Sequence, residues 1–346
     1  MRTLSVILRR ILGTLAASTL IALPSVALNA PVASAAGTCS WNWGIKQSYR
    51  SYIQGQVAKG QWETDGIGFT GSETGADGAF TFTPGKASVN GDTVTVKIGT
   101  TEADQEAWRV FKDLAKDNGI TLDIVSFSDY SPVNEALAQG ELDLNKFQHI
   151  LYLAKYNASS GHDLKVVGST EIYPLALFWK DHSSLDGIEG KEIAIPNDDS
   201  NQGRAINVLV QAGLVTLKDG SDELAPAPSD IDASKSKVTV VPVDASQTPS
   251  AYNEGRPAII NNSWLDRAGI EPSQAIFQDD PASEQGEPYI NVFASRAEDK
   301  DNPTYVKLAE LWHDPKVAEA VQKDSRNTAV EVKRPANELN DILDRL

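Results

Sequence analysis

The sequence is poor in the residues that build most catalytic and metal centres. Its 346 residues include one cysteine and four histidines, and no second histidine or cysteine stands at the spacing of a metal site. The single cysteine, Cys39, excludes an intrachain disulfide. The chain also lacks G-x-S-x-G, H-E-x-x-H, a Walker loop and a G-x-G-x-x-G after a predicted strand. We therefore expect a protein that is not an enzyme and that holds no metal.

Positive charge is scarce as well. The chain has 31 Lys and Arg against 47 Asp and Glu, which gives a net charge of −16. A surface of this sign repels nucleic acid and anionic lipid, so nucleic acid is not an expected partner. Apolar residues make up 41% and charged residues 23% of the sequence, and these proportions indicate a compact globular protein rather than a disordered chain.

Long apolar runs are absent except at the N-terminus. Arg2, Arg9 and Arg10 precede an apolar stretch over residues 11–23, and small residues follow up to Ala36. This order is typical of an export signal, and the apolar stretch is short for a membrane span. We expect residues 1–36 to be a signal peptide. The mature protein would then be secreted or held at the extracytoplasmic face of a bacterial membrane.

Cys39 has two interpretations. As the first residue of a mature lipoprotein it would carry lipid chains that anchor the protein to the membrane. The preceding residues, Ala36-Gly37-Thr38, depart from a lipobox at its first and last positions. The alternative is cleavage after Ala35 or Ala36, which leaves Cys39 unmodified.

Residues 39–92 form a segment of distinct composition, rich in aromatic residues, Gly, Ser and Thr and free of Leu and His. The pattern predicts a short amphipathic helix followed by two or three strands, hence a small β-rich module. The opening WGIKQSYRSYI resembles HtaA domains, which bind haem at the surface of corynebacteria. The resemblance implies Tyr52 as a haem ligand, although the second half of such a domain, with its supporting histidine, is missing. The alternative is that the aromatic residues are the core of the fragment.

From residue 93 to residue 346 strand and helix patterns alternate. Predicted strands include TVTVKIGT, LKVVGST and KEIAIPN, and predicted helices include Glu102 to Asn118, Gln202 to Ala212 and Thr304 to Lys323. Alternation of this kind predicts parallel sheets flanked by helices. The number of units over about 250 residues favours two α/β lobes, with ligand at the carboxyl ends of the strands.

Two long blocks carry a family resemblance: FSDYSPVNEALAQGELDLNKFQH at 127–149 and IPNDDSNQGRAINVLVQAGL at 195–214. They resemble the substrate-binding lipoproteins of methionine ABC importers, the NlpA/MetQ-type family. The resemblance implies a two-lobed type II periplasmic-binding-protein fold whose crossings lie near Leu177 to Lys180 and Asn261 to Asn291. It also implies a monomer that closes on its ligand by hinge rotation and docks on a permease and ATPase complex.

The charged groups of an amino-acid ligand require a cation and acceptors. Arg204 maps onto the family's carboxylate-binding arginine and lies at the start of a helix whose predicted cap is Ser200. Free backbone N–H groups of that helix and the guanidinium could therefore face one anion. The alternative for Arg204 is an exposed ion pair with Asp198 or Asp199.

The ligand's side chain requires an apolar box. Tyr130, Phe147 and Tyr152 stand in FSDY, KFQH and HILYL, elements that match the family's motifs, and aromatic rings make favourable contacts with a thioether. They could instead be core residues. His149, in the same FQH element, is expected to hydrogen-bond to the ligand.

Two asparagines complete the predicted site. Asn261 and Asn291 correspond to asparagines in family segments that appear here as IINNSWL and PYINV, and amides can bind both charged ends of a zwitterion. After Asn261 the chain departs from the family pattern, with Trp264 close behind. The ligand is thus D- or L-methionine, a derivative or another apolar amino acid. The alternative function is a haem-binding surface protein that acts through the HtaA-like module.

Overall fold

The computed structural model describes residues 94–346, without the side chain of Glu284, and the backbone of three short strands before them. Those strands are Thr38–Ser40 (β1), Glu73–Thr74 (β2) and Ala79–Thr81 (β3), and they form an antiparallel sheet in the order β1-β3-β2. The chain divides into two compact units, Met1–Val94 and Thr95–Leu346. The predicted signal peptide, Tyr52 and the side chain of Cys39 lie outside the described residues.

Strands and helices alternate through the second unit. The strands are Val94–Thr100 (β4), Ile120–Ser126 (β5), Leu144–His149 (β6), Leu164–Ser169 (β7), Glu171–Ile172 (β8), Ala176–Phe178 (β9), Glu192–Pro196 (β10), Thr239–Val243 (β11), Ala258–Ile260 (β12), Ala275–Gln278 (β13), Asn291–Arg296 (β14) and Val330–Glu331 (β15). The helices are Glu106–Asp117 (α1), Ser131–Ala138 (α2), Ile150–Ser160 (α3), Asp199–Gln211 (α4), Thr248–Asn253 (α5), Leu265–Ala268 (α6), Pro303–Trp312 (α7), Pro315–Asp324 (α8) and Ala336–Arg345 (α9). Within these described residues, none of the helices is long and apolar enough to cross a bilayer.

The second unit contains two five-stranded sheets, one in each lobe. The first sheet has the order β5-β4-β6-β14-β7 and the second the order β11-β10-β12-β9-β13. β4 is parallel to β6, and β10 is parallel to β11 and β12. The two predicted α/β lobes are confirmed, and the family fold with them.

The prediction of parallel sheets was wrong for the strands next to the crossings. β14 runs antiparallel to β6 and β7, and β9 runs antiparallel to β12 and β13. Each of these two strands arrives from the other lobe, so it enters its sheet from the cleft side and points the opposite way. Both sheets are therefore mixed.

The crossings lie in residues 170–175 and 279–290, between β7 and β9 and between β13 and β14. The first prediction, Leu177 to Lys180, was placed too late, because Leu177 and Phe178 already pair with β12 inside the second lobe. The second falls inside the predicted range of Asn261 to Asn291. A two-stranded pairing of β8 with β15 supports the first crossing.

Aromatic packing holds two helices of the first lobe together. α1 buries Trp108 and Phe111 on one face, and both rings lie 5.1 Å, centroid to centroid, from Trp312 of α7. The predicted helix from Thr304 to Lys323 is in fact two helices. The break falls before Pro315, whose ring nitrogen has no N–H to continue the hydrogen-bond ladder of α7.

A buried ionic cluster lies where the first sheet meets the first crossing. Lys146 Nζ lies 3.2 Å from Glu102 Oε2 and 2.6 Å from Glu171 Oε1, and all three side chains are almost fully buried. Burial alone would lower the pKa of Lys146, but the two carboxylates outweigh it and the pKa is raised. Lys146 therefore stays charged.

Candidate ligand-binding site

All seven residues predicted for the site line one cavity between the lobes, with a volume of about 40 Å³. By that measure it has room for only a few water molecules. The lining residues are Tyr130, Phe147, Gln148, His149, Tyr152, Tyr173, Pro174, Leu175, Asn201, Arg204, Asn261, Asn262, Ser263 and Asn291. The structure brings the seven together; their contact with a ligand stays a prediction.

Strand ends position these side chains. Phe147 and His149 lie at the carboxyl end of β6, and Asn261 follows β12 directly. Asn291 begins β14, which is antiparallel, and it stands opposite His149 in the register. The end of β6 and the start of the antiparallel β14 share one edge of the first sheet, and the end of β12 lies at an edge of the second sheet. The two edges face each other across the cleft, so the side chains from both sheets line the same cavity.

Three aromatic rings form one wall of the cavity. The centroid of Tyr130 lies 5.8 Å from that of Phe147 and 6.0 Å from that of Tyr152, and the rings of Phe147 and Tyr152 are 5.7 Å apart. Trp264, the residue expected to reshape the cleft, is buried and packs against Tyr130 with a centroid distance of 5.0 Å. It supports the wall from outside the lining of the cavity.

Arg204 provides the cation and is held on three sides. Its Nε donates to Asp279 Oδ2 at 2.7 Å, and its Nη2 donates to the carbonyl of Tyr173 at 2.8 Å. The Tyr289 ring lies 4.2 Å from the guanidinium carbon. The remaining nitrogen, Nη1, has no hydrogen-bond partner among residues 94–346. The alternative of an exposed pair with Asp198 or Asp199 was wrong, since Arg204 is 6% exposed and its partner is Asp279.

The start of α4 is capped by Asp198, not by Ser200 as predicted. Asp198 Oδ1 accepts the backbone N–H of Asn201 at 2.9 Å and the hydroxyl of Ser200 at 2.8 Å. Ser200 lies one residue inside the helix, where its hydroxyl supports the cap. The carboxylate of Asp198 thus occupies a helix N–H group that was expected to face the ligand.

His149 is neutral and both of its ring nitrogens are engaged. Nδ1 accepts the backbone N–H of Tyr152 at 3.1 Å, so Nε2 carries the proton, and it lies 3.3 Å from Asn201 Oδ1. Burial, followed by the nearby positive charge of Arg204, lowers the pKa of His149 to about 3. The hydrogen bond expected to reach the ligand goes to Asn201, and the ring itself lines the cavity.

Asn261 presents an unpaired acceptor. Its Nδ2 donates to Asn201 Oδ1 at 2.8 Å, while its Oδ1 is buried with no partner among the described residues. A buried carbonyl oxygen without a donor is costly, which indicates that a bound donor completes it. Such a donor would lie in the cavity that Asn261 lines.

Sequence reasoning missed half of the residues that line the cavity and also three residues that hold the predicted side chains in place. Asn201 binds both His149 and Asn261, Asp279 anchors Arg204, and Tyr289 covers the guanidinium. Asn201 lay within the recognised 195–214 block, three residues before Arg204, and that spacing was the available signal. Among residues 94–346 no group of three or more His, Cys, Asp or Glu side chains is arranged to hold a metal ion.

A two-lobed α/β fold with a small polar and aromatic cavity at the hinge defines a substrate-binding protein. The family model of the NlpA lipoprotein matches residues 96–333, and the chain belongs to this family. A second model, HtaA, matches residues 38–129. The predicted resemblances are therefore confirmed. The HtaA match runs past the predicted end of the module at residue 92 and into β4, α1 and β5, which the structure places in the first lobe.

Several relatives share most of the second unit. The D-methionine-binding lipoprotein MetQ of Escherichia coli K12 is 34% identical over 241 residues, which cover 68% of this chain and 87% of the relative. Lipoprotein 28 of the same organism is 31% identical, over 67% of this chain and 85% of the relative.

Solved structures of other proteins share the fold of the second unit. Protein PG110 from Staphylococcus aureus has a TM-score of 0.68 and 34% identity, covering 72% of this chain and 99% of that one. A nutrient-binding protein from Burkholderia cenocepacia bound to methionine has a TM-score of 0.64 and 33% identity, covering 68% of this chain and 99% of that one.

Proposed function

We propose that this protein is the substrate-binding component of an ABC importer and that it binds methionine or a closely related apolar amino acid. The proposal rests on one observation: a cation, an unpaired amide acceptor and an aromatic wall surround the same small cavity. Arg204 Nη1 is available to the ligand's carboxylate, Asn261 Oδ1 to its ammonium, and the Tyr130, Phe147 and Tyr152 rings to its side chain.

The similarity to a D-methionine-binding lipoprotein and to a protein bound to methionine supports the choice of side chain. Aromatic rings attract a thioether sulfur by about 0.3–1.5 kcal/mol, beyond the burial of apolar area. The importer would supply a permease and an ATPase. The protein would act as a monomer at the extracytoplasmic face, held there through the permease or through lipid on Cys39, and it would release its ligand unchanged.

Calorimetry with L-methionine, D-methionine, norleucine and a dipeptide tests the proposal. We expect saturable one-to-one binding of a free amino acid and no binding of the dipeptide, with no product after prolonged incubation. Failure to bind any free amino acid, or turnover of one, contradicts the proposal. Analytical ultracentrifugation of the mature protein tests the monomer, and mass spectrometry of its N-terminus tests whether Cys39 is lipidated.

The match to the HtaA family favours haem binding by the first unit as a second function. Tyr52 would be its ligand. Addition of hemin to the purified protein should then give a Soret band that Tyr52→Phe abolishes. A band that survives this substitution removes Tyr52 from the haem site, and no band at all removes the function.

A further inference from the structure

Asn201 is a buried polar residue, 2% exposed, that contacts three polar side chains from both lobes. It lies in the first turn of α4, in the second lobe, and its partner Asp198 caps that helix. Its other partners are Asn261 of the same lobe and His149 of the first lobe. Asn201 also lines the cavity, and its Oδ1 accepts from Asn261 and faces His149, while one side of its Nδ2 is occupied by Asp198.

The orientation of the Asn201 amide is fixed by charge. Its Nδ2 donates to both oxygens of Asp198, at 3.0 and 3.1 Å. A carboxylate accepts hydrogen bonds and does not donate them, so the amide cannot be flipped without placing Oδ1 against negative charge. Asn201 Oδ1 must therefore face away from Asp198.

Two donors converge on that oxygen. Asn261 Nδ2 lies 2.8 Å and His149 Nε2 lies 3.3 Å from Asn201 Oδ1. Because Asn261 must turn its N–H group toward Asn201, its own oxygen is left unpaired at the cavity. Asp198 thus fixes the direction of the Asn201 amide, and the Asn201 amide in turn fixes the direction of the Asn261 amide.

We propose that Asn201 is a positioning residue for specificity: it holds the Asn261 amide so that the cavity presents an acceptor, which selects ligands bearing a protonated amine. This inference rests on the proposed function, because it concerns the same cavity. Without Asn201, the Asn261 amide can rotate and offer Nδ2 instead, and an ammonium group would then meet a donor.

The test compares a ligand with and without its amine, L-methionine and 4-(methylthio)butanoate, in the mature protein. We expect the wild type to prefer the amine, and Asn201→Ala to reduce the ratio of the two affinities about tenfold, mainly through weaker binding of methionine. The cap of α4 should survive in this variant, because Asp198 also accepts the backbone N–H of residue 201, which the substitution does not remove. If Asn201→Ala does not fold, Asn201→Ser, which also removes the amide, gives the same readout.

Two further variants separate positioning from a general structural role. Asn207→Ala, on the same helix and outside the cavity lining, should leave the ratio unchanged. In an Asn261→Ala background, Asn201→Ala should no longer alter the ratio, because Asn201 acts through Asn261. Equal weakening of both ligands by Asn201→Ala overturns the inference while the proposed function stands. Absence of amino-acid binding by the wild type overturns the proposed function instead.

Discussion

Arg204 and Asp279 form a buried ion pair, with Nε 2.7 Å from Oδ2, that ties the ligand site to both crossings between the lobes. Asp279 lies at the start of the second crossing and also accepts the backbone N–H of Leu175 in the first. Arg204 itself donates to the carbonyl of Tyr173, again in the first crossing. The cation that lines the cavity is thus held by the two segments that join the lobes, so a rotation of the lobes about these segments would move Arg204 as well.

Replacement of this cation should be the most damaging single change for binding. Arg204→Ala removes the group that we propose faces the ligand's carboxylate, and we expect a loss of at least about 2 kcal/mol in binding free energy. Calorimetry with methionine measures it. Arg256→Ala is the matched control, because Arg256 pairs with Glu254 at the surface and lies outside the cavity lining. An affinity equal to that of the control would remove Arg204 from the site.

Ser263 lines the cavity and joins the two lobes. Its hydroxyl donates to Glu102 Oε1 at 2.6 Å, and Arg267 of the same lobe reaches the carbonyl of Thr101. Ser263→Ala removes one contact that exists only when the lobes are close. We expect about 1 kcal/mol weaker binding, together with a larger radius of gyration of the unliganded protein in X-ray scattering. Ser250→Ala, at an exposed position on α5, is the control. Unaltered affinity and radius would show that this hydrogen bond has no part in closure.

Local sequence signals predicted much of this fold. The strands around Val94 and Glu192 and the helix carrying Arg204 were predictable because periodicity and turn residues act within a few residues. Strand direction was not predictable in the same way. The β-branched and aromatic residues of YINVFASR predict a strand, but nothing in them shows that β14 returns from the other lobe and therefore runs antiparallel.

The site shows the same difference between residues that local motifs identify and residues that only the tertiary structure brings together. Two recognisable blocks and three short motifs identified the seven predicted residues: Tyr130, Phe147, His149, Tyr152, Arg204, Asn261 and Asn291. Asp279 is 75 residues from Arg204 in sequence, and an acidic pair in a loop is most often solvent-exposed. Its role as the arginine's partner depends on the second crossing, which only the tertiary structure reveals.

The buried ionic cluster predicts a large loss of stability on removal of its cation. Lys146→Met keeps the side chain's length but leaves Glu102 and Glu171 buried without their partner. We expect the free energy of unfolding to fall by about 3–5 kcal/mol, measured by urea denaturation. Lys307→Met is the control: it removes a half-exposed lysine of α7 and should change the free energy of unfolding by about 0.5 kcal/mol or less. A similar, small effect of both substitutions would contradict the assignment of Lys146 as a charged, buried residue.

His149 predicts a specific pH dependence of stability. Its pKa is lowered from 6.5 to about 3 in the folded protein, so between these values the unfolded chain binds a proton that the folded chain excludes. The free energy of unfolding should therefore fall as the pH falls through this window, by up to about 1.4 kcal/mol per pH unit from this group alone. His149→Gln should remove that contribution, so urea denaturation at about pH 7.5, 6 and 5 should show a shallower loss in the variant. The exposed His182 provides the control substitution, His182→Gln. An equal dependence of the free energy of unfolding on pH in wild type and His149→Gln would mean that His149 takes up its proton in the folded state as readily as in the unfolded one. The assignment of His149 as a buried, neutral imidazole between Tyr152 and Asn201 would then be wrong.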